Sequence, residues 1–217
     1  MMNLNIRLAY RKTGRARFLS HLDTMRVFAR ALTRAGLPLR YTEGFNPHIV
    51  LSIALPLGVG MESAAERLDF GVMQNIGMGT LPSKLNAVLP EGFFVTQAVI
   101  GGRPISQIAF ARVEITADSP VSTERVTGLF TSSAVVEKRN KKKELVPTDI
   151  VPFIKDIACE AHGDKLRVTA TLTARDPVLN PEYLAEAWRT YLDPEAAFSF
   201  KRLALLDEDG KSFDTLM

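Results

Sequence analysis

The sequence predicts an α+β protein built of two tandem ferredoxin-like units, each ordered β-α-β-β-α-β. Three observations carry this reading: segments of apolar alternation in both halves, helical apolar stripes between them, and a glycine-proline break near the middle of the 217 residues. The length suits two domains of about 100 residues, and the break places them at 1–102 and 108–210.

In the first unit, Leu4, Ile6, Leu8 and Tyr10 alternate with Asn5, Arg7 and Ala9, which marks a half-buried strand. After Gly14, Ser20 stands three residues before Asp23, a capping pattern that opens a helix with Leu22, Met25, Phe28 and Leu32 expected on the sheet. Gly36 and Pro38 end it. Extended segments are expected at 39–42 and 49–55 around the turn Glu43-Gly44-Phe45-Asn46-Pro47, and again at 67–73. A helix over 81–89 and a strand over 93–99 complete the unit, with its second sheet face left open. Gly101-Gly102-Arg103-Pro104 reads as an open linker.

The second unit repeats the order with an elaborated middle: a strand at 110–115, a helix at 122–130, a hairpin at 135–146 around Asn140, an extended segment at 150–158 and an alternating strand at 166–172. Asn180-Pro181 opens a helix through Leu192 with Leu184, Ala187, Trp188 and Tyr191 on one stripe, and a strand at 198–206 closes the unit. The acidic tail Asp207, Glu208, Asp209 and Asp214 reads as a frayed terminus.

Hydrophobic residues form 46% and charged residues 24%, enough apolar surface for a real core. No run approaches the roughly 18 apolar residues of a membrane helix, and the start lacks an apolar leader, so the expectation is a cytoplasmic protein with no membrane partner. Cys159 is the only cysteine, which leaves no intramolecular disulfide, thiolate-rich zinc site or cysteine-held cluster within the chain. With His21, His48 and His162 showing no short ligand spacing, no metal and no cofactor is expected here. Cys159 itself reads as a small apolar residue at a strand end.

Net charge is +3, yet residues 1–60 hold nine Lys/Arg against Asp23 and Glu43. A basic face for an anionic partner follows, because local charge sets the field a ligand feels. Arg15 and Arg17 precede a helix start, where free N–H groups favour phosphate. Arg26, Arg30 and Arg34 recur every four residues with no acid four positions away, giving an arginine stripe suited to nucleic acid or an acidic protein. Tyr41, Phe45 and His48 flank the glycine turn and could stack or grip a base, or Phe45 could fill the core while Gly44 shapes the turn. His21 and His48 are candidate general bases, although Asp23 is explained by capping. Lys138-Arg139-Asn140-Lys141-Lys142-Lys143 reads as an exposed hairpin tip that protects an edge or meets phosphate. Phosphate-loop, dinucleotide, zincin and serine-hydrolase motifs are missing.

The runs Phe18-Leu-Ser-His-Leu-Asp23, Arg30-Ala-Leu-Thr-Arg-Ala-Gly-Leu-Pro-Leu39, Gly44-Phe-Asn-Pro-His48 and Ala54-Leu-Pro-Leu-Gly58 with Glu62-Ser63 resemble a bacterial family of unknown function, the radical SAM-linked proteins. The resemblance spans the chain and is most specific in residues 5–72. Some members look like the C-terminal part of larger proteins that carry cobalamin-binding and radical SAM domains; this chain resembles the separately encoded form. It implies a partnership with a radical SAM enzyme, and the lone Cys159 agrees, since a CxxxCxxC cluster motif must then lie in the partner. The architecture is also similar to RNA-processing endonucleases of CRISPR systems, a likeness of fold that transmits no function. The resulting expectation is a non-catalytic accessory protein that presents RNA, tRNA or rRNA, to a radical SAM enzyme. Arg15, Arg17, Arg26, Arg30 and Arg34 would meet phosphates, and Tyr41, Phe45 and His48 bases or the partner. The alternatives are a metal-independent ribonuclease and a pure protein-interaction module.

Overall fold

A computed structural model describes residues 3–139 and 144–213, a mixed α/β chain that is mostly sheet with four α-helices among those residues. Two compact units emerge, one running through Gln107 and taking in the C-terminal segment from Ser212, the other Ile108–Lys211.

The first unit contains β1 (Leu4–Lys12), a 3-10 turn (Gly14–Phe18), α1 (His21–Arg34), β2 (Leu51–Ile53), β3 (Glu62–Val72), α2 (Leu81–Asn86) and β4 (Phe93–Ile100). Its strands lie in the order β4-β1-β3-β2 and every pairing is antiparallel, with Leu8 opposite both Leu68 and Ala98, and Ile53 opposite Leu68. The expected extended segment at 39–42 contributes only isolated bridges, Leu39 to Val72 and Tyr41 to Ile49. α2 ends at Asn86, within the expected 81–89, and the Asn86 side chain brackets Val95 on β4, donating to the carbonyl at 2.9 Å and accepting from the amide at 2.8 Å.

The core lies between the helices and one sheet face. Tyr10, Phe28 and Phe93 meet there with ring centroids 4.6 and 5.7 Å apart from Phe28, edge to face, which adds about 0.5–1.5 kcal/mol per pair beyond area burial. Of the four apolar residues expected on the sheet side of α1, Phe28 and Leu32 are buried, whereas Leu22 is exposed and Met25 only half-buried; Thr24 and Ala31 are buried in their place. Helix phase explains the exchange. Leu22 precedes the buried Thr24 by two residues, about 200° around the helix, and the Thr24 hydroxyl is satisfied by donating to the Ser20 carbonyl at 2.9 Å.

The second sheet face was expected to be open, yet Arg7, Ala9 and Arg67 are buried. Arg7 sits opposite Asp69 in register and grips its carboxylate with two bonds of 2.7 Å, while also donating to the Arg103 carbonyl. The presumed linker is therefore fastened to the unit. Gly101 N–H donates to the Asn5 carbonyl at 2.7 Å, and Gly102 has φ +123° with the Arg7 guanidinium 3.0 Å from where a Cβ would stand. The described segment that ends at Phe213 is held in place as well. Arg67 donates to the Phe213 carbonyl through Nε (3.0 Å) and Nη2 (2.6 Å), Arg103 Nη2 donates to the Ser212 carbonyl at 2.8 Å, and the Arg103 guanidinium lies 4.0 Å over the buried Phe213 ring. Asp214 lies outside the described residues.

The second unit contains β5 (Phe110–Asp118), α3 (Thr123–Ser132), the hairpin β6 (Val135–Arg139) and β7 (Leu145–Asp149), β8 (Ile154–His162), β9 (Lys165–Thr173), α4 (Glu182–Tyr191) and β10 (Ala197–Leu206). Its main strands run β10-β5-β9-β8, antiparallel throughout. Trp188, at the centre of the core, donates its indole N–H to Ser119 Oγ at 3.2 Å, and Ser119 donates to Asp193 at 2.6 Å. Tyr191 departs from the expected buried stripe; its ring is exposed and its hydroxyl donates to the Val135 carbonyl at 2.9 Å. Cys159 lies inside β8 rather than at its end, and burial, followed by the charges of Glu124 and Glu160, pushes its thiol up. Within the basic hairpin, Lys138 donates to the Val178 carbonyl at 3.2 Å and lies 5.1 Å over Phe153; Asn140, Lys141, Lys142 and Lys143 lie outside the described residues. Asp207 accepts from Lys211 N–H at 2.8 Å, so the turn after β10 is ordered by its own acid.

Candidate nucleic-acid interface

Helix α1 positions the arginine stripe, and its first turn treats the arginines unequally. Ser20 caps the helix by accepting from Asp23 N–H at 3.2 Å, while its hydroxyl donates to Asp23 Oδ2 at 2.7 Å. That bond and the Arg26 guanidinium hold the Asp23 carboxyl below its usual range. Arg26 Nη1 donates to Asp23 Oδ1 at 2.9 Å, so the acid three residues back does what none four away could do. Arg30 and Arg34 are exposed and form no ion pair among the described residues. They line a groove of about 500 Å³ with Ala29, Thr33 and, across from the helix, Ile49.

Ile49 belongs to a short hairpin. Thr42 N–H donates to the His48 carbonyl at 2.8 Å and Val50 N–H to the Arg40 carbonyl at 2.9 Å, which makes Tyr41 and Ile49 a non-hydrogen-bonded antiparallel pair. Directly opposed residues share a face, so the exposed Tyr41 lies on the same side of the hairpin as Ile49, next to the groove's lining but not part of it. Thr42 and His48 occupy the other side. The His48 N–H donates to Thr42 Oγ1 at 3.1 Å and its Nδ1 meets the same oxygen at 3.1 Å. At the tip, Phe45 is fully exposed beside Gly44 at φ +115°, which removes it from the core.

Arg15 and Arg17 lie on the 3-10 turn at the other end of α1, about 20 Å from Arg34 for 14 residues at 1.5 Å each. Glu62 accepts from Gly14 N–H at 2.9 Å and lies 3.8 Å from Arg17, whose guanidinium covers the exposed Phe18 ring at 4.8 Å. Arg15 is exposed. Leu22 and Val59 are exposed as well, and Gly60 N–H donates to the Arg17 carbonyl at 2.8 Å, which brings Val59 close to this turn.

His21 does not join either arginine group. It lines a small cavity with Tyr10, Lys12, Thr24, Leu57 and Glu66. Lys12 and Glu66 are buried, and Lys12 Nζ donates to the Leu19 carbonyl at 2.6 Å, tying the turn before α1 to β1. The cavity measures about 10 Å³, room for about one water and no phosphate. This polar set escaped sequence reasoning, although Lys12 continues the inward parity of Ile6, Leu8 and Tyr10 across a bulge. Ile49 and Thr33 escaped it because a groove wall is set by packing and not by residue type. Among the described residues no group of three or more His, Cys, Asp or Glu could hold a metal, and no helix is long and apolar enough to cross a membrane.

A family model described as "Uncharacterized protein conserved in bacteria (DUF2344)" matches residues 5–181. The chain belongs to that family. The match takes in the groove, the hairpin and the 3-10 turn, and ends just before α4; the family description assigns no activity and makes no mention of radical SAM enzymes. No curated protein matches the chain. Among solved structures the chain is similar to the "Crystal Structure of an Unknown Protein from Galdieria sulphuraria", with 14% identity over 93% of this chain and 99% of that one and a TM-score of 0.28. A likeness of that degree carries no argument about fold or function.

Proposed function

We propose that this member of the bacterial family is a non-catalytic accessory protein, made of two ferredoxin-like units, that binds RNA through α1 and the 40–50 hairpin and works with a separate radical SAM enzyme. The single observation that carries the RNA reading is the groove that Arg30 and Arg34 line together with Ala29, Thr33 and Ile49, with the exposed Tyr41 paired to Ile49 across the hairpin. Cationic grooves with neighbouring aromatic faces suit single-stranded nucleic acid, for which phosphates supply the charge and bases the stacking. The ferredoxin-like assignment is supported by the strand orders: numbering the four main strands within each unit, both read 4-1-3-2 and both are antiparallel. The enzyme partner rests on the sequence resemblance, and the chemistry of cluster and cofactor would belong to that partner.

A second reading has its own observation. Phe18, Leu22 and Val59 are exposed, with the Arg17 guanidinium over the Phe18 ring and Gly60 N–H bonded to the Arg17 carbonyl, a mix of apolar and basic groups that suits protein docking. In this account the enzyme docks at the N-terminal end of α1 and RNA lies toward its C-terminal end. The ribonuclease alternative draws less support, since His48 is engaged by Thr42 on the side away from the groove and His21 borders a cavity too small for substrate.

Ultraviolet crosslinking of the tagged protein in its native cells, with the crosslinked peptides and RNA identified, tests the proposal. Adducts in residues 41–49 support it. Recovery of a radical SAM enzyme that resists nuclease, with no RNA adduct, would replace it with the interaction module.

A further inference from the structure

We infer that the groove between α1 and the hairpin takes one unstacked base of a single strand, lodged between Tyr41 and the Ala29–Ile49 floor, with its flanking phosphates on Arg30 and Arg34. This inference deepens the RNA-binding reading and rests on it.

A duplex is a chemical mismatch for this groove. A paired helix turns its phosphates outward and keeps its bases stacked inside, and side chains cannot read the deep, narrow major groove of A-form RNA. Against such a surface Arg30 and Arg34 would find partners, whereas Ala29, Ile49 and the exposed Tyr41 ring would not. A splayed nucleotide satisfies all of them at once. The second argument is spacing. Arg30 and Arg34 are one helical turn apart, neighbours on the helix surface with roughly 5–6 Å between their Cβ atoms, so two adjacent phosphates can be held while the base between them points inward. The third is the parity of the hairpin, which puts Tyr41 on the same side as the groove-lining Ile49 and His48 on the other side. Phe45, fully exposed at the tip, offers a further stacking face for the next base.

The chemistry of a base between two phosphates is common to RNA and DNA single strands, and charge alone would also attract an acidic protein. Fluorescence anisotropy of the full chain at low salt separates these, using a labelled oligouridylate of about 12 nucleotides, its deoxy counterpart, an RNA duplex of equal length, and polyglutamate as competitor. The single-stranded RNA is expected to bind at least ten-fold tighter than the duplex. Tyr41→Ala should weaken that binding about ten-fold, as loss of one stacked base does, and leave duplex binding unchanged; Tyr41→Phe should restore it, which excludes a folding defect. If duplex and single strand bind equally and Tyr41→Ala has no effect, the arginines hold phosphates only: this inference fails while the RNA-binding reading stands. Tighter binding of the deoxy strand overturns the assignment to RNA. Displacement by polyglutamate at equal charge overturns the site as a nucleic-acid groove, and absence of binding to every oligonucleotide overturns the RNA-binding reading itself.

Discussion

Arg26 reaches back one helical turn to Asp23, its Nη1 2.9 Å from the carboxylate, and so leaves the basic stripe of α1 to Arg30 and Arg34. Arg26→Gln should therefore lower RNA affinity less than Arg30→Gln or Arg34→Gln does. The exposed single changes should each leave stability within about 0.5 kcal/mol. Parallel binding isotherms and urea melts of the three variants check the ranking.

His48 and His21 give a second expectation. His48 meets Thr42 Oγ1 at 3.1 Å on the side of the hairpin opposite Tyr41, and His21 borders a cavity of about one water. RNA incubated with the protein in chelator should remain intact, and His48→Ala should bind it as the parent does. Metal-independent cleavage that disappears in His48→Ala would install the ribonuclease reading.

Two phenylalanines with opposite surroundings should behave oppositely. Phe213 is buried with its carbonyl held by Arg67 and its ring under Arg103, so Phe213→Ala should cost about 3 kcal/mol, the low end for a buried aromatic. Phe45 is fully exposed, and Phe45→Ala should leave the urea midpoint unchanged while weakening RNA binding.

Asp149 supplies a test by pH. Its Oδ1 accepts from Ala134 N–H at 3.0 Å and Val151 N–H at 3.1 Å, and Ser133 donates to Oδ2 at 3.1 Å. These bonds, the Ala134 amide first, hold the carboxyl below its usual range. A carboxyl depressed in the folded state stabilises above its unfolded pKa, and the contribution is lost as pH falls through the folded value. Asp149→Asn should thus lower stability at pH 7 by roughly 1 kcal/mol after solvent screening is discounted, and the gap to the parent should close in acid. A gap independent of pH would show that the charge is not what matters.

Much of the fold was legible because it rests on local periodicity. Leu4 to Tyr10 alternates and forms β1, Ser20 caps α1 as its spacing implies, and Leu166 to Leu172 falls within β9. Tertiary contacts decide the rest. Leu22 has an apolar side chain but the wrong phase, and Arg7 has a polar one yet lies buried because Asp69 stands opposite in β3. The glycine-proline run at 101–104 reads as a linker until Asn5 and Arg7 are placed beside it. At the candidate site, residue types found Arg30, Arg34 and Tyr41. Hairpin parity was needed to separate Tyr41 from His48, and packing to find Ile49.

The salt dependence of RNA affinity tests the central claim most directly. For single-stranded RNA each phosphate neutralised contributes about 0.7 to the slope of log K against log salt. The account predicts a steep slope for the parent chain and one flatter by about 1.4 for the Arg30→Gln, Arg34→Gln double variant, with no change in its melting midpoint. An unchanged slope in a fully folded double variant would contradict it, because the groove would then hold no phosphate.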